Sequence, residues 1–154
     1  MDTITATNLA RIEARAAALF EEYGVTGYTF GWDRATRRRG QCNYTDRRIT
    51  LSKPIALLAT FEESEQTLIH EVAHAIVGPG HGHGAVWKRQ ARSMGHTGSR
   101  TSRREQEVPT PLVGVCPNGH ESGRHRKPKA PTSCGRCSPR FDARYLITWS
   151  RRPA

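Results

Sequence analysis

The sequence predicts an α+β fold in two parts. A helix-and-sheet domain occupies residues 1–95, a polar linker residues 96–110, and a small basic module residues 111–154. Three observations point there. Stretches with helical apolar spacing flank a block of short aromatic and β-branched runs. Three of the four cysteines lie beyond residue 115. The charge is divided: residues 1–83 hold 9 Lys+Arg against 10 Asp+Glu, a net of −1, whereas residues 84–154 hold 15 against 4, a net of +11.

The 154 residues suffice for one core with an appendage. With 36% hydrophobic and 25% charged residues, the chain reads as neither membrane-embedded nor disordered. No run approaches the roughly 18 apolar residues of a spanning helix. Asp2 and Glu13 interrupt the first apolar stretch, which argues against a secretory signal and for the cytoplasm, with nucleoid association compatible with the charge. In that reducing compartment cysteines read first as metal ligands.

Taken in order, Leu9, Ile12, Ala16, Leu19, Phe20 and Tyr23 recur at spacings of three and four, and Gly24 ends the pattern, predicting a helix over 5–23. Residues 28–32, 41–44 and 48–52 read as three short strands of an antiparallel sheet, with Arg37–Arg39 at a hairpin tip. Thr60 and Glu63 form a capping box that opens a strongly apolar helix ending at Gly78-Pro79-Gly80. A third helix is expected over Ala85–Met94, with Val86, Trp87, Ala91 and Met94 inward and Gly95 closing it. Beyond the linker, strands are expected over 111–116 and 144–149.

His70-Glu71-Val72-Ala73-His74 places an HExxH motif on the central helix. Four residues is slightly more than one turn, so both imidazoles project from one face and can take adjacent corners around one Zn2+. Glu71, turned aside, can accept a proton from a metal-bound water. At this chain's His and Glu frequencies about 0.02 such motifs arise by chance. Two histidines among Leu, Ile, Val and Ala without a shared partner would carry a desolvation penalty.

A catalytic zinc takes a third protein ligand and keeps one open corner. The spacing HExxHxxGxxH is excluded, because positions 77 and 80 are Val77 and Gly80. Glu105 and Glu107 lie in the polar linker. The glycine-flanked His81 and His83 remain, and both are candidates, since glycines let the chain reverse toward the metal.

The stretches HEVAHAIVG and GHGAVWKRQA, with the upstream Arg39–Cys42 and Arg48–Ser52 segments, resemble the SprT-like (Spartan-type) zinc metalloproteases over roughly residues 5–95. That resemblance implies a zincin-like domain with a sheet packed beside the HExxH helix. It implies His70, His74 and His83 as ligands of a catalytic zinc, Glu71 as catalytic base, and Trp87 as the aromatic after the GHG motif. It also implies an endopeptidase acting on DNA-associated or DNA-crosslinked proteins, and hence a DNA-repair role.

Cys116-x3-His120 and Cys134-x-x-Cys137 read as the paired halves of a zinc ribbon, a closed structural site. Relatives of the SprT-like type often carry such a ribbon with four cysteines, so the fourth ligand here is taken as His120, with His125 in reserve. The cofactors expected are therefore one catalytic and one structural Zn2+. Arg124, Arg126, Lys127, Lys129 and Arg136 form a basic surface suited to DNA phosphates, while Phe141, Tyr145 and Trp149 supply either stacking faces or a small core. Cys42 reads as a buried thiol and His96 as a solvated loop residue. The expected partners are a protein substrate and DNA, with no membrane and a monomeric chain. The competing class is a non-catalytic nucleic-acid-binding zinc protein; Glu71 beside the metal favours the enzyme.

Overall fold

Ile12, Ala16 and Leu19 bury one side of helix α1 (Thr3–Glu22), and Gly24, at φ +62, ends it in a left-handed cap. The chain then enters strand β1 (Thr29–Asp33), followed by β2 (Gly40–Asn43) and β3 (Arg48–Ser52). Next come a short helix α2 (Lys53–Ala56), the central helix α3 (Phe61–Val77) and α4 (Ala85–Ser93). These coordinates form a computed structural model that describes residues 3–98 and 108–152. Most of the predicted linker, with Glu105 and Glu107, lies outside the described residues. The chain divides into two compact units, one ending at Val108 and one beginning at Pro109.

The sheet of the first unit corrects one expectation. Its order is β1-β3-β2: β2 pairs antiparallel with β3, but β1 pairs parallel with β3 in the register Thr29↔Arg48 to Asp33↔Ser52. The sheet is therefore mixed, not antiparallel. Connection length explains it. The β2–β3 turn is tight, with Asn43 Oδ1 accepting from the Asp46 N–H. Residues 34–39 instead span two strand spacings and leave between β1 and β2 the slot that β3 fills. Arg37–Arg39 thus sit in a crossover connection, not at a hairpin tip. Asp33 organises that connection by accepting from Ala35 N–H at 2.8 Å, Thr50 Oγ1 at 2.7 Å and Arg38 Nη1 at 2.6 Å. Burial alone would raise the Asp33 carboxyl; these three donors outweigh it and hold it below the ordinary carboxylate range.

Helix α3 opens on the expected capping box: the Thr60 hydroxyl accepts from Glu63 N–H and the Glu63 carboxylate accepts from Thr60 N–H. Its Leu68, Ile69, Val72 and Ala73 meet Ile12, Ala16 and Leu19 of α1, Ile49 and Leu51 of β3, and Trp87, Ala91 and Met94 in and after α4. α3 is thus the shared wall of the core, which holds its functional face in a fixed place. Val86, expected inward, is exposed, since its neighbour Trp87 takes the buried side of α4.

The second unit is a three-stranded antiparallel sheet, β4 (Leu112–Val115), β5 (Glu121–Arg124) and β6 (Thr148–Arg151), in the order β5-β4-β6. β5 gave no sequence signal. The strand expected over 144–149 divides into a 3-10 turn at Ala143–Tyr145 and β6. Asp142 caps that turn by accepting from the Arg144 N–H, and pairing first runs to Thr132–Cys134 before passing to β4. No helix among the described residues is long and apolar enough to cross a membrane.

Candidate metal centres

Helical spacing sets His70 and His74 one turn apart on α3, and the glycine-rich turn after the helix brings in a third ring. The Nε2 atoms converge: His83 Nε2 lies 2.9 Å from that of His70 and 3.1 Å from that of His74. Tetrahedral corners at ~2.0–2.1 Å from zinc lie about 3.3 Å apart, so the spacing fits one shared ion. Burial, and then the neighbouring imidazoles, lower His70 to about 3 and His74 to about 4. Both are neutral at physiological pH, with lone pairs available to a metal. The two candidates for the third ligand part here. Gly84 N–H closes a turn on the His81 carbonyl, leaving His81 exposed while His83 joins the cluster.

Trp87 is the common backing of these rings. Its centroid is 4.6 Å from His70, 5.2 Å from His74 and 4.7 Å from His83. Burial at 5% exposure makes the indole a fixed wall against which the imidazoles are ordered.

Glu71, the next residue along α3 from His70, packs against the edge strand β2. Burial pushes its carboxyl up to about 7, with the Cys42 N–H and the Arg38 charge pulling the other way. The Cys42 amide therefore donates to the carboxylate and orients it. A Cβ at Gly40 would sit 2.9 Å from Glu71 Cγ and Oε1 and 3.0 Å from Thr67 Cγ2. Only glycine leaves that space, a requirement with no signal in the sequence beyond the residue itself. Gly40→Ala is therefore expected to displace the carboxylate and lower any activity that uses it by about tenfold or more, with zinc content unchanged. Hydrolysis rates and metal analysis on one sample check this, and full activity in the variant contradicts it. Cys42 itself is half-buried rather than fully buried, and burial pushes its thiol up to about 11, an unreactive thiol at neutral pH.

The second unit gathers Cys116, His120, Cys134 and Cys137. Cys116 and Cys137 Sγ are 3.8 Å apart, and His120 Nδ1 lies 3.7, 3.6 and 3.2 Å from the sulfurs of Cys116, Cys134 and Cys137. Bonds of ~2.3 Å to sulfur put tetrahedral corners about 3.8 Å apart, so this set also fits one zinc. His120, not His125, is the fourth group, and it faces the sulfurs through Nδ1. Burial raises the Cys134 thiol, but the N–H groups of Arg136 and Cys137 outweigh it and bring it down to about 6. The Asn118 amide donates to Cys137 Sγ at 3.4 Å. Donors aimed at thiolate sulfur are what a closed metal site needs.

Arg124, Arg126, Lys127, Lys129 and Arg136 are all exposed. The Arg124 guanidinium lies 5.4 Å from the Trp149 ring, and Trp149 is half-buried over Gly114 with its Nε1 donating to Thr132. Phe141 is 66% exposed and takes no part in the small core.

His96 departs most from expectation. It is buried, with its ring 5.5 Å from both His70 and Trp87.

In comparison with known proteins, a family model described as the SprT-like family matches residues 10–109, a span that holds all three clustered histidines and Glu71. No curated protein and no solved structure matches the chain.

Proposed function

The chain belongs to the SprT-like family, and on that premise we propose that it is a zinc-dependent endopeptidase of the zincin-like type. The observation that carries the reading is the convergence of three imidazole Nε2 atoms, together with a separately held, buried carboxylate on the same helix. A structural site has no use for that carboxylate. In this reading the protease domain spans residues 1–95, the linker 96–110 and a zinc ribbon 111–154.

His70, His74 and His83 would hold the catalytic zinc, and Cys116, His120, Cys134 and Cys137 a structural one. Bound at the histidines, zinc supplies Lewis acidity, polarising a peptide carbonyl and acidifying water. Glu71 takes the proton of the attacking water at its carboxylate and delivers it to the leaving amine. Its raised pKa makes it a stronger base than an exposed glutamate, near the pH where it works. The Cys42 amide and the gap at Gly40 hold that carboxylate in one orientation. Trp87 excludes water from behind the ligand rings.

The protein substrates are DNA-associated or DNA-crosslinked proteins, consistent with a DNA-repair role and with action in the cytoplasm as a monomer. The +11 net charge of residues 84–154 supports this, as do the exposed Arg124, Arg126, Lys127, Lys129 and Arg136. Their contacts are to phosphate and carry little sequence preference. DNA binding is expected to weaken steeply with salt and to fall most of the way to background when residues 111–154 are removed. Binding isotherms over a salt series read both, and undiminished binding by the truncated chain contradicts the assignment. The function itself is tested by incubating the zinc-loaded chain with an unfolded protein such as casein, with and without single-stranded DNA, and mapping new termini by mass spectrometry. Cleavage supports the reading; an intact substrate in both arms overturns it.

A further inference from the structure

His96 follows α4 in a short polar segment, yet it is only 8% exposed. Its surroundings are built on both sides. Its own N–H donates to the Ala91 carbonyl at 2.9 Å, and its Nδ1 accepts from the Gly98 N–H at 3.2 Å. Gln66 pins the residues either side: its Nε2 donates to the Gly95 carbonyl, and its Oε1 accepts from the Thr97 N–H at 2.9 Å and from the Thr97 hydroxyl at 3.2 Å. Gln66 lies one turn before His70 on α3, so the same helix carries the clamp and the ligand. With Nδ1 accepting, the ring is the neutral Nε2–H tautomer, and it cannot turn over without giving up the Gly98 bond. His70, Trp87 and His96 touch one another mutually, with centroids 4.6–5.5 Å apart. The imidazole of His70 thus packs against two fixed rings that also pack against each other.

We propose that His96 is a positioning residue for His70: locked by Gly98 and Gln66, its ring fixes the rotation of the His70 imidazole and so the aim of the Nε2 that meets the metal. Confinement of this kind matters because a ligand ring free to rotate spreads its lone pair over a range of directions, and small misplacements at a reacting centre are amplified in rate. Residues behind a metal ligand commonly orient it through a hydrogen bond; here the orientation comes through ring packing. The inference rests on reading His70, His74 and His83 as the catalytic zinc ligands.

His96→Asn is the discriminating variant. Asparagine keeps an acceptor near the Nδ1 position for the Gly98 N–H, so the segment retains its fold, but it lacks the aromatic ring that packs against His70. In the zinc-loaded full chain, the expected result is a kcat lower by about tenfold, with KM within about threefold. Nitrogen-15 resonances of the His70 ring should move while those of the exposed His81 stay. A change in thermal stability alone, with kcat and the His70 resonances unmoved, overturns the proposal. If the asparagine chain does not fold, Gln66→Ala decides in its place, since it unpins the segment and leaves the His96 ring present. The same two readouts apply to it. If zinc does not perturb the His70 resonances in the unsubstituted chain, the reading of the site itself fails, and that outcome is distinct from a zinc-responsive His70 that ignores His96.

Discussion

Glu71→Gln is expected to lower peptide-bond hydrolysis by about 10²-fold or more, the scale of a lost general base, while the folded chain and its zinc content stay unchanged. The amide is nearly the size of the carboxylate, so it still fits against Gly40, and its oxygen still accepts from the Cys42 N–H. What it loses is the lone pair that takes the proton. The substitution leaves the three converging Nε2 atoms in place, so metal loading should be indifferent. Rates and zinc content measured on the same preparations check both halves. Equal activity in the two proteins contradicts Glu71 as the base.

The second large effect concerns the small unit. Its core is three short strands with β5 wholly exposed, and few of its side chains are buried apart from Cys116 and Cys134. A module of this size depends on its metal, worth on the order of 10 kcal/mol or more in zinc modules. Cys134→Ser removes one of four ligands and the sulfur toward which two amides point. The expected outcome is loss of one zinc per chain and collapse of the dispersed amide signals of residues 109–154, with those of residues 10–95 retained. A small unit that stays folded without its zinc would show that the sheet alone suffices.

Much of the first site was legible because its signals are local. The four-residue interval of His70 and His74, the capping box of Thr60 and Glu63, and the glycine stop at Gly78 are all encoded within a turn or two of helix. The choice between His81 and His83 was not local. It depends on which ring the turn closed by Gly84 leaves outside, and only the resemblance to SprT-like proteins favoured His83 beforehand. Likewise, His120 prevails over His125 because the first knuckle closes with Cys116 N–H on the His120 carbonyl immediately before β5, a strand with no apolar alternation to announce it.

Two contacts were invisible for a more general reason. The burial of His96 comes from Gln66, thirty residues earlier, and a stretch reading Gly95-His96-Thr97-Gly98 has the composition of a surface loop. The parallel pairing of β1 with β3 likewise follows from connection lengths and not from either strand's own pattern. Gly40 belongs with these. At the start of a strand it looks like turn punctuation, whereas its purpose is the space its missing side chain leaves for Glu71.

The most direct test of the zinc-protease account is a titration of the metal-free chain with zinc, followed by the cleavage of an unfolded protein and run alongside His81→Ala and His83→Ala. The account predicts that cleavage appears as the histidine site fills, that His81→Ala follows the same curve, and that His83→Ala neither fills that site nor cleaves. A histidine site that fills with zinc while no peptide bond is broken at any loading would contradict it.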